Sequence, residues 1–240
     1  MAGFRKSRKP RRGVTMGKKS IDAIQSKDIA ILKKKVKSIK PKVLTPAAVI
    51  ANSSIIYSSP YILGLNPLSL GTGETNRVGS KAKMEYLKMG LAFQSTADLG
   101  NKGSVRVLIV QQKQNRGNTT VLLDGSHSAD TYGLGLFNNY ASGSSAYNNT
   151  NWLFNETIDF SNLYKIIYDT NFYLDVGTHG LTHVIKINKK LGFVTDYSYD
   201  NDGDMEDILY NGLYLIVLVD SINASVISLR TDYMLTFTDA

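Results

Sequence analysis

The side chains best equipped to do chemistry in this sequence are cations crowded at its start. Arg5, Lys6, Arg8, Lys9, Arg11 and Arg12 fall within eight positions, and Lys18 and Lys19 follow shortly behind. Each Lys or Arg set near a phosphate releases condensed counterions, so such a cluster binds polyanions and loses affinity as salt rises. A nuclear-import signal has the same composition. Like charges repel and little here is apolar, so residues 1–19 are expected to be disordered.

Other constellations offer less. His179 and His183 have a ligand spacing for a helix, but Gly177 and Gly180 put them at the mouth of a strand, and His127 is distant. The acidic run Asp200 to Asp207 gathers carboxylates, yet its glycine stands fourth rather than sixth and no Glu closes a calcium loop. A solvated loop is expected there, with calcium at a subunit contact as the alternative. Gly71-Thr72-Gly73 and Gly133-Leu134-Gly135 lack the third glycine of a dinucleotide loop, and neither a Walker A sequence nor a Gly-x-Ser-x-Gly elbow occurs. With no Cys, a disulfide scaffold and a thiolate nucleophile are excluded. The expectation is a protein that is not an enzyme and needs no cofactor or metal.

The elements that must carry the cations divide sharply by charge. The chain has 240 residues and a formal charge of +8. Residues 1–43 hold 15 Lys/Arg against Asp22 and Asp28, and the remaining 197 residues hold 13 against 18 acids. A +13 arm is thus attached to a −5 body. No apolar stretch follows the basic start, so no signal peptide is expected. The longest apolar run, Leu213 to Val219, is seven residues, against roughly 20 for a bilayer. A soluble, intracellular chain is expected, with no membrane partner, and the five Asn-x-Ser/Thr sequons are read as incidental.

Within the arm, residues 20–40 change character. Ile21, Ile24, Ile29, Leu32, Val36 and Ile39 share one side of a helix, and Pro41 stops it. Lys33, Lys34, Lys35, Lys37 and Lys40 suit its negative C-terminal end. The stripe either packs on the body or is left frayed, associates with other copies while its lysines face nucleic acid, or lies on a membrane surface.

From residue 44 onward the period is two. Ile227, Leu229, Thr231, Tyr233, Leu235 and Phe237 alternate with polar partners, as do Leu87, Met89, Leu91 and Phe93. Residues 105–110 and 213–219 read as strands covered on both faces. Tyr164 to Tyr168 and Phe172 to Leu174 flank an expected turn at Asp169-Thr170-Asn171, and residues 181–191 form another strand with Ile185 and Ile187 inward. Asn201-Asp202-Gly203 and Asn211-Gly212 read as punctuation. About eight strands without intervening helices predict an all-β antiparallel sandwich or barrel. Residues 113–161 make too long a connection for a passive loop. The body's basic residues look scattered.

Several stretches resemble the capsid proteins of circular, Rep-encoding single-stranded DNA viruses, the circovirus-like group. Asn76-Arg77-Val78-Gly79-Ser80-Lys81 is similar to the family's Arg-hydrophobic-Gly-x-Lys pattern before a strand. Val105-Arg106-Val107 to Gln114 resembles its Val-Arg-hydrophobic strand, Lys165 to Asp169 its Leu-Tyr-Asp strand, and Phe237-Thr238-Asp239 its Phe-x-Asp ending. Departures are Gln112 for Asp, Leu163-Tyr164 for Arg-Phe, and Met234 for Arg.

The resemblance implies a single eight-stranded jelly roll of two four-stranded sheets over 44–240. It places the strands near 49–57, 82–94, 104–112, 163–174, 181–189, 191–197, 212–219 and 226–238. The 113–161 loop then joins the third and fourth strands, near five-fold contacts. Sixty copies would close a T=1 shell around single-stranded DNA, with RNA as the alternative, and their arms would carry roughly 780 positive charges inward. The implied partners are other copies of the chain, the genome and a host nuclear import receptor. The implied locations are the virion and, during assembly, the host nucleus. The rival reading is a cellular β-sandwich module that binds nucleic acid or glycan and carries a basic tail.

Overall fold

The computed structural model describes residues 24–32, 40–45, 50–55, 60–95, 102–114, 136, 154, 160–175, 182–198, 205–221 and 227–240. Its contacts divide the chain into two units, Met1–Lys40 and Pro41–Ala240. In the first, residues 24–32 form a helix, α1, whose residues are all exposed, Ile24, Ile29, Ile31 and Leu32 among them. It lies within the helix expected over 20–40, whose other residues, apart from exposed Lys40, lie outside the described ones.

The second unit is all-β and antiparallel. Its strands are β1 (Lys42–Leu44), β2 (Ile50–Ile55), β3 (Tyr61–Gly64), β4 (Lys81–Ser95), β5 (Lys102–Gln114), β6 (Tyr164–Asp175), β7 (Thr182–Tyr197), β8 (Ile208–Ser221) and β9 (Ile227–Asp239). One helical turn, α2 (Phe160–Leu163), precedes β6. Both β1 and β2 pair with β9, the first with Leu235–Phe237 and the second with Ile227–Thr231. They therefore occupy one position, and the nine described strands fill eight.

Those positions follow one rule. β2 pairs with β9, β3 with β8, β4 with β7 and β5 with β6, so the pairs nest inside one another around the β5–β6 connection. Further ladders join β4 to β9 and β5 to β8. The result is one hydrogen-bonded path, β1-β9-β4-β7-β8-β5-β6. Only two residue pairs, Asp196 with Tyr210 and Tyr197 with Ile208, connect β7 to β8. On either side of that seam stand β1/β2-β9-β4-β7 and β3-β8-β5-β6.

Period-two patterning explains the core. Met84, Leu87, Met89, Leu91 and Phe93 of β4 meet Val105, Val107 and Ile109 of β5, Leu215 and Val217 of β8, and Leu229, Leu235 and Phe237 of β9 in one buried cluster. A β-bulge between Met84 and Tyr86 keeps the alternation in phase. The runs in β5 and β8 are buried on both faces, as their continuous hydrophobicity implies. Their other face forms a second cluster, where Leu108, Val110, Tyr214, Ile216 and Leu218 pack with Leu136 and Leu163, and Phe154 lies against them. Two residues of the connection after β5, Leu136 and Phe154, therefore lie on this face.

Three expected breaks fall inside strands. Asp169, Thr170 and Asn171 pair continuously with Leu108, Val107 and Arg106, so no turn interrupts β6. The reason is positional: β6 ends the strand path, where polar residues tolerate one unpaired side. The strands expected at 181–189 and 191–197 are one strand, Thr182–Tyr197, because Gly192 takes φ +77 opposite the bulge instead of ending it. Asn211, at φ 65, lies inside β8. The additional strand β3 lay in a stretch the period-two reading left unassigned. It moves the 115–159 connection to between the fourth and fifth positions rather than the third and fourth.

Candidate nucleic-acid interface

Of the thirteen sequence-predicted contact residues, Arg5, Lys6, Arg8, Lys9, Arg11, Arg12, Lys18, Lys19, Lys33, Lys34, Lys35 and Lys37 lie outside the described residues. Lys40 is exposed.

The body offers a second array that sequence reasoning missed. Outward residues of β4 are Lys81, Lys83, Tyr86, Lys88 and Gly90; those of β7 include Lys186, Asn188 and Lys190; those of β9 include Arg230 and Asp232. Six of the body's thirteen Lys/Arg thus share one face and are exposed, against Asp196, Asp232 and Glu85 at the bulge. The expectation of scattered cations is corrected. The strand period marks buried positions within one strand, but it does not say which exposed residues line up across β4, β7 and β9. Only the cross-strand register brings Lys88 level with Asn188, and Gly90 level with Lys186 and Asp232.

Gly90 shapes the surface. A Cβ there would meet nothing within 4 Å, and two adjoining depressions of about 340 and 620 Å³ share Gly90 and Asp232 in their walls. The first is also lined by Ala92, Val184 and Arg230, the second by Lys88, Lys186 and Asn188. Tyr86 beside them is 44% exposed. Lys81 is partly engaged by Asp196 at 3.3 Å. The arrangement supplies cations, an open floor and an aromatic ring, which are the parts of a polyanion-binding and base-stacking surface.

A polar network fixes the end of this face. Arg77 is 1% exposed. Its guanidinium donates to the carbonyls of Leu68 (3.1 Å), Gly79 and Ser198 (3.3 Å), and lies 4.5 Å from the Tyr197 ring centroid. Burial lowers its pKa, while the Tyr197 oxygen and the Asp207 carboxylate pull it the other way. The Tyr197 hydroxyl, itself pushed above its usual range by burial, donates to Asn66 O at 2.9 Å. Asn66 in turn donates to Thr195 Oγ1 (3.0 Å) and Asn211 O (3.1 Å), and accepts from Leu213 N (2.8 Å). Asn211 donates to Val194 O (2.6 Å) and accepts from Gln111 Nε2 (2.7 Å). Nearby, Asp239 accepts from Val78 N and from Lys42 Nζ, both at 2.8 Å. The segment between β3 and β4 is thereby tied to β7, β8 and β9, which sets where β4 begins its lysine-bearing run.

Among the described residues no three His, Cys, Asp or Glu side chains converge to hold a metal ion. His183 instead stacks on Phe172, with ring centroids 4.0 Å apart. His179 and residues 200–204 lie outside the described ones. No described helix is long and apolar enough to cross a membrane. No protein-family model matches the chain, and no curated protein matches it significantly.

Proposed function

We propose that this chain is a capsid subunit, a jelly roll that assembles with copies of itself and packages single-stranded DNA through its basic arm. The observation that carries this reading is the nested pairing of β2 with β9, β3 with β8, β4 with β7 and β5 with β6. A long hairpin rolled upon itself has that order, and two such rolled layers make the jelly roll of many shells. The +13 arm supports it by supplying charge without base-reading groups, which suits sequence-independent packaging. The mildly acidic body would keep nucleic acid from coating the shell's outside. The role is structural, not catalytic. Its partners are sixty copies in a T=1 shell, a DNA genome with RNA as alternative, and an import receptor reading residues 5–12; its places are the virion and the host nucleus.

Negative-stain electron microscopy of the purified full-length protein tests this. Uniform round shells are expected, with a diameter fitting sixty copies. Small discrete particles at every salt and calcium concentration would overturn the reading. They would favour a cellular β-sandwich that binds nucleic acid as a monomer, to which the cationic face with Tyr86 lends specific support.

A further inference from the structure

Of the two outward surfaces of the strand path, one is buried. The outer side of β5 and β8 packs under Leu136, Phe154 and Leu163. The outer side of β9, β4 and β7 is open and carries the body's concentrated positive charge, although the body as a whole is negative. Cations gathered against the sign of their own domain call for an anionic occupant. The register refines that occupant. Lys186 and Asp232 flank Gly90 on its two neighbouring strands, Lys88 stands two residues along β4, and Arg230 flanks Ala92 on the other side. Strand spacing and rise put the Cα atoms of these residues roughly 5–8 Å from that of the glycine. At Gly90 the floor has no side chain, so a backbone phosphate can approach the sheet closely there. Tyr86 presents an exposed ring on the same face, two residues from Lys88 and opposite Lys190.

We infer that the β9-β4-β7 face is a second nucleic-acid site, one that seats a single strand with its phosphates among Lys88, Lys186 and Arg230 and a base stacked on Tyr86. A duplex hides its base faces, so the exposed ring selects unpaired strands. Asp232 is the one acid inside the basin. A carboxylate there repels phosphate but accepts from base amino groups, so a base edge, not a phosphate, lies at Asp232. A bare polyphosphate or an anionic lipid surface has nothing to offer Tyr86 or Asp232. The inference rests on the capsid reading only for which strand is bound. The arm would gather the chain and the face would order part of it.

The test uses the full-length protein and fluorescent oligo-dC and oligo-dT 20-mers, with binding followed from low to high salt. Replacing Lys88, Lys186 and Arg230 together by Gln should lower the slope of log affinity against log salt by about 2, since each single-strand phosphate contributes about 0.7. Tyr86→Ala should weaken binding about tenfold, Tyr86→Phe should restore it, and an iodouracil-bearing strand should photocrosslink to Tyr86. Lys165→Gln, at an exposed position of β6, should change neither the crosslink nor the triple variant's deficit. An unchanged slope with no crosslink at Tyr86 would overturn the inference. So would a triple variant that alters only self-association of nucleic-acid-free protein, because the face would then meet a second copy. Shell imaging separates the two proposals. Shells with an unaltered slope sink the face alone, and a face that binds without shells sinks the capsid alone.

Discussion

Arg106 on β5 and Asp169 on β6 form a two-point ion pair, Nε to Oδ1 at 2.9 Å and Nη2 to Oδ2 at 2.7 Å. The pair is diagonal, since Arg106 stands opposite Asn171 and Asp169 opposite Leu108. The guanidinium also lies 4.8 Å from the Phe154 ring centroid. One interaction thereby ties the terminal strand to its neighbour and to a residue of the long connection. Bidentate geometry and partial burial lift such a pair above the exposed average. A double-mutant cycle of Arg106→Ala and Asp169→Ala, read by urea unfolding, should give a coupling of about 1 kcal/mol. Strict additivity would show the pair to be ornamental.

Arg77 should cost more. Three backbone carbonyls and the Tyr197 ring depend on one guanidinium that water does not reach. Arg77→Ala orphans those carbonyls and is expected to destabilise the protein by about 3 kcal/mol. Arg77→Lys should recover less than half of that, because one ammonium cannot imitate the planar fork. Chemical denaturation of both variants checks the order, and equal stability of the Lys variant and wild type would refute it.

These two arginines show what the sequence made legible. Both stood in stretches singled out by resemblance, and so did their neighbours Asp169 and Asp239, yet nothing in the linear pattern paired them. The inward alternation of Leu87 to Phe93 and of Ile227 to Phe237 was readable, because burial imposes period two on local sequence. Register was not readable, because it is set across 63 residues for Arg106 with Asp169 and 161 for Val78 with Asp239. The cationic face was hidden for the same reason. Asn211 misled because a left-handed residue breaks a hairpin or kinks a continuing strand alike, and only the partner strand decides which.

Alkaline titration probes the core tyrosines. Burial pushes Tyr214 and Tyr233 up to about 12, and raises Tyr197 also. An unfolded tyrosine titrates near 10, so above that pH the unfolded chain sheds protons that the folded one keeps. The stabilisation is therefore complete below pH 10 and is lost as pH climbs through about 12, by about 3 kcal/mol for each of Tyr214 and Tyr233. Unfolding free energy measured from pH 9 to 12 should fall steeply, and Tyr233→Phe should shallow the fall by nearly one proton's worth. A slope identical in the variant would mean that Tyr233 ionises equally in both states.

Two glycines test whether strand irregularity is required or merely allowed. An added Cβ at Gly90 or at Gly192 meets nothing within 4 Å, so crowding cannot distinguish them. Backbone conformation can. Gly192 holds φ +77 opposite the Met84–Tyr86 bulge, a region where a Cβ costs about 1 kcal/mol or more. Gly90 has no such φ and sits in regular pairing with Lys186 and Asp232. Gly192→Ala should thus destabilise by about 1 kcal/mol, while Gly90→Ala should be neutral or stabilise by up to about 1 kcal/mol through the stiffer unfolded chain. Thermal and urea midpoints of the two variants give the comparison. If Gly192→Ala proved as harmless as Gly90→Ala, the bulge would have relaxed, and the continuity of β7 would not depend on its left-handed residue.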